Sequence, residues 1–476
     1  MLMRIDGKDT CGVSGGWIEV KNPATGVLID RVPSGTPDDV ARAVEAADAA
    51  ARGWKKKTMR ERGMILVHAA GLVREQHKDI AKLLTMEQGK PLKEAIDEVR
   101  GFASILEYYA GISAHSTGEA IRLGPAGDCM VVHEPIGICG AIIPWNMPVI
   151  IMGWKTGPAL LAGNTMVLKP ASTTPLSCLK LAAILEKVGL PPGVLNVVTG
   201  SGESVGAAIV RHPLIDKVSF TGDCTTGSKI RTMASGQSKE LTLELGGSDP
   251  MIVMDDADID KAVEGALRGR FYNAGQTCTA IKRLYVHEMI ANAFVKKLKV
   301  RVEALKTGNG LEPGIDLGPM NSAGQRDLIA DMVKDVTENG KGTILTGGYS
   351  LTGPSYDAGY FYLPTLVSDV SPDARLLNDE IFGPVLPVVS VPDLDTAIKE
   401  ANRSRYGLGA SVWTTNLATT KRVFDEVHAG IIWVNRHLTV PPEIPFGGMN
   451  ESGIGRENGS HALESYSRTK TLFLGW

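Results

Sequence analysis

Between residues 138 and 220, apolar runs of strand length alternate with apolar-periodic runs of helix length, and nothing else in the sequence constrains the fold so tightly. Residues 138–143 (ICGAII), 165–168 (TMVL), 194–198 (VLNVV) and 217–220 (KVSF) read as strands. Residues 149–161 and 175–188 read as helices between them, and a third helix starts at 204–210. A helix between two strands returns the chain to the starting edge, so the strands pair in parallel and a doubly wound α/β sheet is expected. Such sheets bind ligands at the carboxyl ends of their strands. A second alternating segment runs from about 246 to 435, with a helix at 288–306 and strands at 385–391 and 430–435. The 476 residues exceed what one hydrophobic core usually holds, so two or three domains are expected, with a small-molecule cleft at their junction.

Several function classes are set aside early. The formal net charge is -3 and the lysines and arginines form no basic stripe, so no nucleic-acid partner is expected. Residues 135–154 carry no charge over a length that could span a bilayer, but Pro135, Pro144 and Pro148 would interrupt any such helix. A buried strand, a turn and a buried helix start account for the run, and no membrane partner is expected. The cysteines, Cys11, Cys129, Cys139, Cys178, Cys224 and Cys278, show neither a CxxC pair nor metal-type spacing, so no metal site is expected. Free thiols and an N-terminus without an apolar signal core point to the cytoplasm.

The N-terminal third reads as helices. Thr36-Pro37-Asp38-Asp39 is a helix start, followed by amphipathic helices over Met59–Glu75, 79–85 and Leu92–Ile112. Residues 128–133 and 469–476 read as strands, and an unpaired apolar edge of this kind invites another chain.

The chemistry is concentrated in three places. Residues 271–283 (FYNAGQTCTAIKR) read as a helix end, a loop and a strand start, with Cys278 on the loop. A lone cysteine is more often a small buried hydrophobe than a nucleophile, so its partners decide the reading. Residues 241–247 (LTLELGG) form a short apolar strand carrying Glu244, a carboxylate expensive to bury without a task. Asn146 stands between Pro144-Trp145 and Met147-Pro148, where the prolines fix the backbone. Thiol, carboxylate and amide are what is needed to attack a carbonyl, activate water and hold an oxyanion.

These stretches, together with KPAS at 169–172, FTG at 220–222, EIFGP at 380–384 and FGGMNESGIGRE at 446–457, match in order and spacing the aldehyde dehydrogenase superfamily. The resemblance runs from about residue 15 to the C-terminus. It implies an aldehyde dehydrogenase-like fold with a Rossmann-type cofactor domain (1–114 and 136–245), an α/β catalytic domain (246–445) and a β oligomerisation arm (115–135 and 462–476). A homodimer or homotetramer is expected to follow from that arm.

By the same resemblance, Cys278 attacks an aldehyde, Asn146 and the Cys278 N–H hold the oxyanion, and Glu244 activates the water that hydrolyses the thioester. The cofactor, NADP or NAD, would touch Ile142, Pro144, Trp145, Lys169, Ala171, Ser172, Gly202, Gly206, Phe220, Thr221, Gly222, Leu245, Glu380 and Phe382. The glycines at 200, 202 and 206 by themselves fit a tight turn as well as a phosphate loop, since the last is one residue late for GxGxxG. Ser172 departs from the glutamate frequent in NAD-preferring relatives. A carboxylate there would repel a 2′-phosphate, so serine favours NADP. Asp223 replaces the usual serine beside the pyrophosphate, and the sequence gives no account of it.

For the substrate, Trp154 is followed by Lys155 where relatives resembling succinate-semialdehyde dehydrogenase carry an arginine, which argues against that substrate. Arg436 and His437 fall on the loop that lines the substrate tunnel in relatives. Two other readings remain: a coenzyme A-acylating semialdehyde dehydrogenase, disfavoured by Glu244, and a catalytically silent protein of the same fold, disfavoured by the intact Cys278, Glu244 and Asn146.

Overall fold

A computed structural model describes residues 1–115 and 118–475. The alternation seen in the sequence builds a sheet whose five central strands are parallel, in the spatial order Glu240–Glu244, Lys217–Thr221, Ile138–Ile142, Thr165–Lys169, Leu195–Val197. The chain starts in the middle at Ile138–Ile142, winds one way, then crosses back to lay Lys217–Thr221 on the other side. The carboxyl ends of those two strands, where Phe220 pairs with Ile142, are therefore the switch point at which a crevice must open. Three edge strands extend this sheet beyond what the pattern predicts: Met3–Ile5 and Lys8–Thr10 on one side and Gly453–Ile454 on the other, all antiparallel. They are too short for a two-residue period to show.

The charge-free run resolves as anticipated. Ile138–Ile142 is buried throughout, and the helix Pro148–Ala162 is buried at every position but Ile150. It is buried on all sides because the helix Leu92–Ile112 covers one face and the sheet another. Among the described residues, no helix is long and apolar enough to cross a membrane.

The second sheet runs Thr343–Thr346, Thr365–Ser368, Val385–Val391, Ile281–His287, Asp249–Val253, Gly409–Trp413, Ile431–Val434, parallel except for its first member. Only residues 245–248 separate the end of Glu240–Glu244 from the start of Asp249–Val253. The carboxyl ends of the first sheet consequently face the amino ends of the second, and the crevice lies between them.

A third, antiparallel sheet pairs Ser467–Leu474 with Asp128–Pro135 along its whole length and adds Glu119–Arg122. This is the segment expected to form an arm; Ser116, Thr117 and Trp476 of that expectation lie outside the described residues.

Candidate active site

The helix Ile259–Phe271 is followed by a tight turn, Tyr272–Gly275, in which Asn273 and Ala274 both take φ of 53° and Gly275 takes 72°. Left-handed backbone costs a non-glycine residue about 1–2 kcal/mol, so the turn must be held by its surroundings. Asn273 donates its N–H to the buried carboxylate of Glu94 (2.9 Å) and its amide to the carbonyls of Asn146 (3.0 Å) and Gln276 (3.2 Å). Gln276 in turn donates to Asn273 O and Pro319 O and accepts from the Asn321 N–H. Gly275 cannot be larger, because a Cβ there would stand 2.4 Å from the carbonyl oxygen of Gly383. The turn thus delivers residues 276–280 against the segment 380–384, with Cys278 between.

Cys278 is half-buried and lines a cavity of about 420 Å³ between the two sheets. Asn146 lines it too. One N–H of the Asn146 side-chain amide is donated to Gln276 O at 2.9 Å, and the backbone carbonyl of Asn146 is pinned by Lys90 (2.8 Å) and Asn273. The backbone N–H of Cys278 meets no protein acceptor among the described residues. A thiol flanked by the remaining amide donor and a free N–H is suited to form, and then hold, an oxyanion. Met147, Ile151, Trp154 and Phe446 wall the cavity, with the Trp154 and Phe446 rings 4.8 Å apart, and Asp97 and Arg268 stand among the lining residues. Burial pushes the Cys278 thiol up to about 12, Lys282 opposes the rise, and Asp249, Glu380 and Glu244 add to it.

Glu244, at the end of its strand, does not line this cavity. It is buried, neither carboxylate oxygen has a hydrogen-bond partner, and its charge is nevertheless felt at Cys278. Desolvation first, and then the nearby Glu457, raise it well above the usual carboxylate range; Lys155 and Arg456 counteract. Lys155, the residue after Trp154, is committed elsewhere, in a buried ion pair with Glu457.

A second cleft, of about 700 Å³, opens at the switch point and is lined by Ile142, Gly202, Gly206 and Phe220. The glycine turn is a π-helical turn, Gly202–Gly206, running into the helix Ala207–Arg211. Gly202 faces open space, while a Cβ on Gly206 would project toward Lys169 and Ile142, at 3.7 and 3.8 Å. Lys169 is buried, its ammonium bonded only to the carbonyl of Pro170 (2.8 Å), and burial lowers it to about 8. A desolvated cation without a carboxylate beside a cleft fits an anionic ligand. Ala171 and Ser172 follow, half-buried, with the Ser172 hydroxyl donating to Gly200 O at 3.0 Å.

Thr221 is buried with an unpartnered hydroxyl, Gly222 donates its N–H to Glu244 O, and Leu245 packs beneath the helix Cys224–Ala234. Asp223 is the N-cap of that helix, accepting from the Thr226 N–H (2.8 Å) and hydroxyl (2.7 Å). An aspartate performs this task as well as a serine, which explains the departure. Half-buried Pro144 precedes Trp145, whose ring meets that of Phe382 edge-on at 5.4 Å. Glu380 accepts from the Gly247 N–H at 3.1 Å and faces Lys282 at 3.4 Å.

Arg436 and His437 fall on a loop that lines two cavities. They line a neighbouring cavity of about 1110 Å³ against the helices Ile259–Phe271 and Glu288–Glu303, and the loop turns Leu438 and Val440 toward Cys278 instead. His437 is buried, its Nε2 2.7 Å from the Thr279 carbonyl, and desolvation lowers it to about 4. Neutral histidine here braces the residue after Cys278. The sequence reading also passed over Lys90, Glu94 and Glu98. Glu98 binds Lys90 and accepts the first-turn N–H groups of Val149 and Ile150, so it anchors the helix that follows Asn146. The signal was present: in the helix Leu92–Ile112, Glu98 falls on the same stripe as Ala95, Phe102 and Leu106, where a carboxylate needs a partner.

Two largely parallel sheets with a ligand crevice at a switch point and a thiol at their junction define an α/β oxidoreductase of the dinucleotide-dependent type. The model of the aldehyde dehydrogenase family matches residues 12–472. The fold superposes on an E. coli NADP-dependent enzyme with a TM-score of 0.97 and 38% identity, covering 100% of this chain and 98% of that one. An aldehyde dehydrogenase from Brucella melitensis biovar abortus gives 0.96 and 36%, covering 99% and 96%. A betaine aldehyde dehydrogenase point mutant from Staphylococcus aureus, in complex with NAD+, gives 0.97 and 33%, covering 100% and 97%. The chain belongs to the aldehyde dehydrogenase family. Its activity is that of an NAD(P)-dependent aldehyde dehydrogenase.

Proposed function

We propose that this enzyme oxidises an aldehyde to the carboxylic acid through a thiohemiacetal and a thioester on Cys278. The observation that carries the reading is that Cys278 and the Asn146 amide line one cavity, while the uncompensated Lys169 lies behind Gly206 at the wall of the switch-point cleft. Cys278 adds to the carbonyl carbon as a thiolate, and the oxygen that gains the charge is held by the free N–H of Asn146 and the N–H of Cys278. Each such donor contributes about 3–4 kcal/mol to the transition state. NAD(P), when bound, supplies the hydride acceptor that makes the oxidation possible. Lys169, Gly206, Glu380 and Phe382 are the residues we assign to holding it, with Trp145 braced on Phe382. Glu244 removes the proton from water for hydrolysis. Its carboxylate is set back from the cavity, beside the Gly448 N–H, and turns toward the thioester to act.

NADP is the favoured cofactor in this reading. Lys169 lacks a counter-charge, and Ser172 carries no carboxylate to repel a 2′-phosphate. The walls of Met147, Ile151, Trp154 and Phe446 suit an aldehyde with an apolar body. The third sheet is assigned to homodimer or homotetramer formation, and six free cysteines agree with a cytoplasmic enzyme.

The test is a panel of neutral and anionic aldehydes assayed with each cofactor, alongside Cys278→Ala. Reduction of cofactor is expected to be greatest with NADP and an apolar aldehyde. It should vanish in Cys278→Ala while NADP binding, followed by fluorescence, persists. Aldehyde-dependent turnover by Cys278→Ala would end the assignment.

A further inference from the structure

Lys282 is a charged residue within the strand Ile281–His287, and its side chain is wholly buried. Burying an ammonium is expensive unless its protons and charge are used. Its Nζ donates to the carbonyls of Thr277 and Cys278, faces the Glu380 carboxylate at 3.4 Å and lies 5.9 Å from the centre of the Phe382 ring. One cation therefore ties the backbone of the thiol-bearing loop to the segment 380–384, the two pieces of chain that the Gly275–Gly383 approach also brings together.

The geometry points to Lys282 as a positioning residue that fixes the Cys278 loop against Glu380 and supplies the positive charge that favours the Cys278 thiolate. The assignment rests on Cys278 being the nucleophile. The groups facing this pair are all placed. Asp249, buried at the start of its strand, accepts from the Gly409 N–H and leaves one oxygen unpartnered. Glu380 is bonded to the Gly247 N–H as well as facing Lys282. Glu244 lies behind, buried without partners. Arg283 is turned away, with both its Nε and Nη2 on the Ser248 carbonyl, and Arg270 points to the carbonyls of Ile281 and Ile381. Three carboxylates thus oppose the thiolate, and among the charges acting on the thiol Lys282 has the largest effect and the opposite sign.

The experiment follows alkylation of Cys278 by iodoacetamide as a function of pH, reading the Cys278 peptide by mass spectrometry so that the other thiols do not interfere. In this reaction the thiolate sulfur displaces iodide, so the rate reports ionisation directly. For Lys282→Met the rate near neutral pH is expected to fall about tenfold or more, with the midpoint moving up by about one pH unit or more. Lys282→Arg should restore most of the loss. Asp249→Asn, which is nearly isosteric and keeps Lys282, should move the midpoint down, and this variant carries the test if Lys282→Met fails to fold. A Lys282→Met protein that folds and titrates like the parent, or an Asp249→Asn midpoint that does not move, overturns the proposal. Because alkylation needs no aldehyde, a preparation that shows these shifts but oxidises no aldehyde would refute the functional reading and leave the role of Lys282 standing.

Discussion

At Lys169 the cost of burying an ammonium is left uncompensated within the protein, since the side chain meets one carbonyl and no carboxylate. The folded group titrates near 8 against 10.5 for an ordinary lysine, so between these values the unfolded chain holds more protons and raising the pH relieves the folded state. A 2′-phosphate relieves it differently, by pairing with the charged form. The preference for NADP over NAD is therefore expected to be full below about pH 8 and to fall as pH rises through that value, by up to about tenfold per unit. Equilibrium titration of both dinucleotides across this range checks it, and a flat ratio would remove Lys169 from the phosphate. Ser172→Glu approaches the same question from the opposite sign: it should weaken NADP far more than NAD, and equal losses would count against it. Glu244 is governed by desolvation in the other direction. Raised well above the usual carboxylate range by desolvation and by the neighbouring Glu457, it gains its capacity as a base as pH rises. Glu244→Gln is expected to let the thioester accumulate in a single turnover, seen as an added acyl mass on Cys278; the absence of that mass would leave hydrolysis to another group.

Among the elements, the helix Leu92–Ile112 shows how one wall of a site can also brace it. Glu94 holds the strained turn before Cys278, and Glu98 joins Lys90 to the helix that begins after Asn146. Glu98→Ala leaves Lys90 as an unpaired buried charge, which typically costs about 3–5 kcal/mol. Urea unfolding should show that loss, together with a fall in kcat through the loosened Asn146; a variant as stable as the parent would show that water or a rearranged partner fills the role. Runs of strand and helix length made the parallel cores legible in the sequence, because Ile138–Ile142 and the helix Pro148–Ala162 are almost wholly apolar, with Lys155 the one charge. Cys278, Asn146 and Glu244 were legible because each stands out from its local pattern. What was not legible depends on distant contacts. The two- and three-residue edge strands have no period to read, Asp223 makes sense only as a helix cap, and the turning of Arg436 and His437 away from Cys278 is set by His437 packing on Trp433 and bonding to Thr279. Lys282 was in plain view beside the cysteine, but its length and its burial, not its position in the sequence, bring it to the Cys278 carbonyl.

For the molecule as a whole, the two large sheets satisfy each other across the crevice, while the third sheet has no such cover. Ser467–Leu474 pairs fully with Asp128–Pro135, and the C-terminal stretch is fastened to the helical layer beside the first sheet: Asn164 donates to Tyr466 O and Tyr109 to Gly459 O. Its two faces nevertheless leave Leu472 and Phe473 more than half exposed, at 53% and 55%, Leu472 beside Met130 on one face and Phe473 in line with Ile121 on the other. Exposed apolar side chains on both faces of a sheet with free edges mark a place where another chain is expected. Leu472→Asp combined with Phe473→Asp replaces that surface with charge without touching the ladder hydrogen bonds or the crevice. The wild-type enzyme is expected to sediment as a dimer or tetramer and the double variant as a smaller species, with Cys278 alkylated at an unchanged rate. A wild-type monomer, or a double variant of undiminished size, would place the subunit contact elsewhere, because a carboxylate pair cannot be buried in an apolar interface without breaking it.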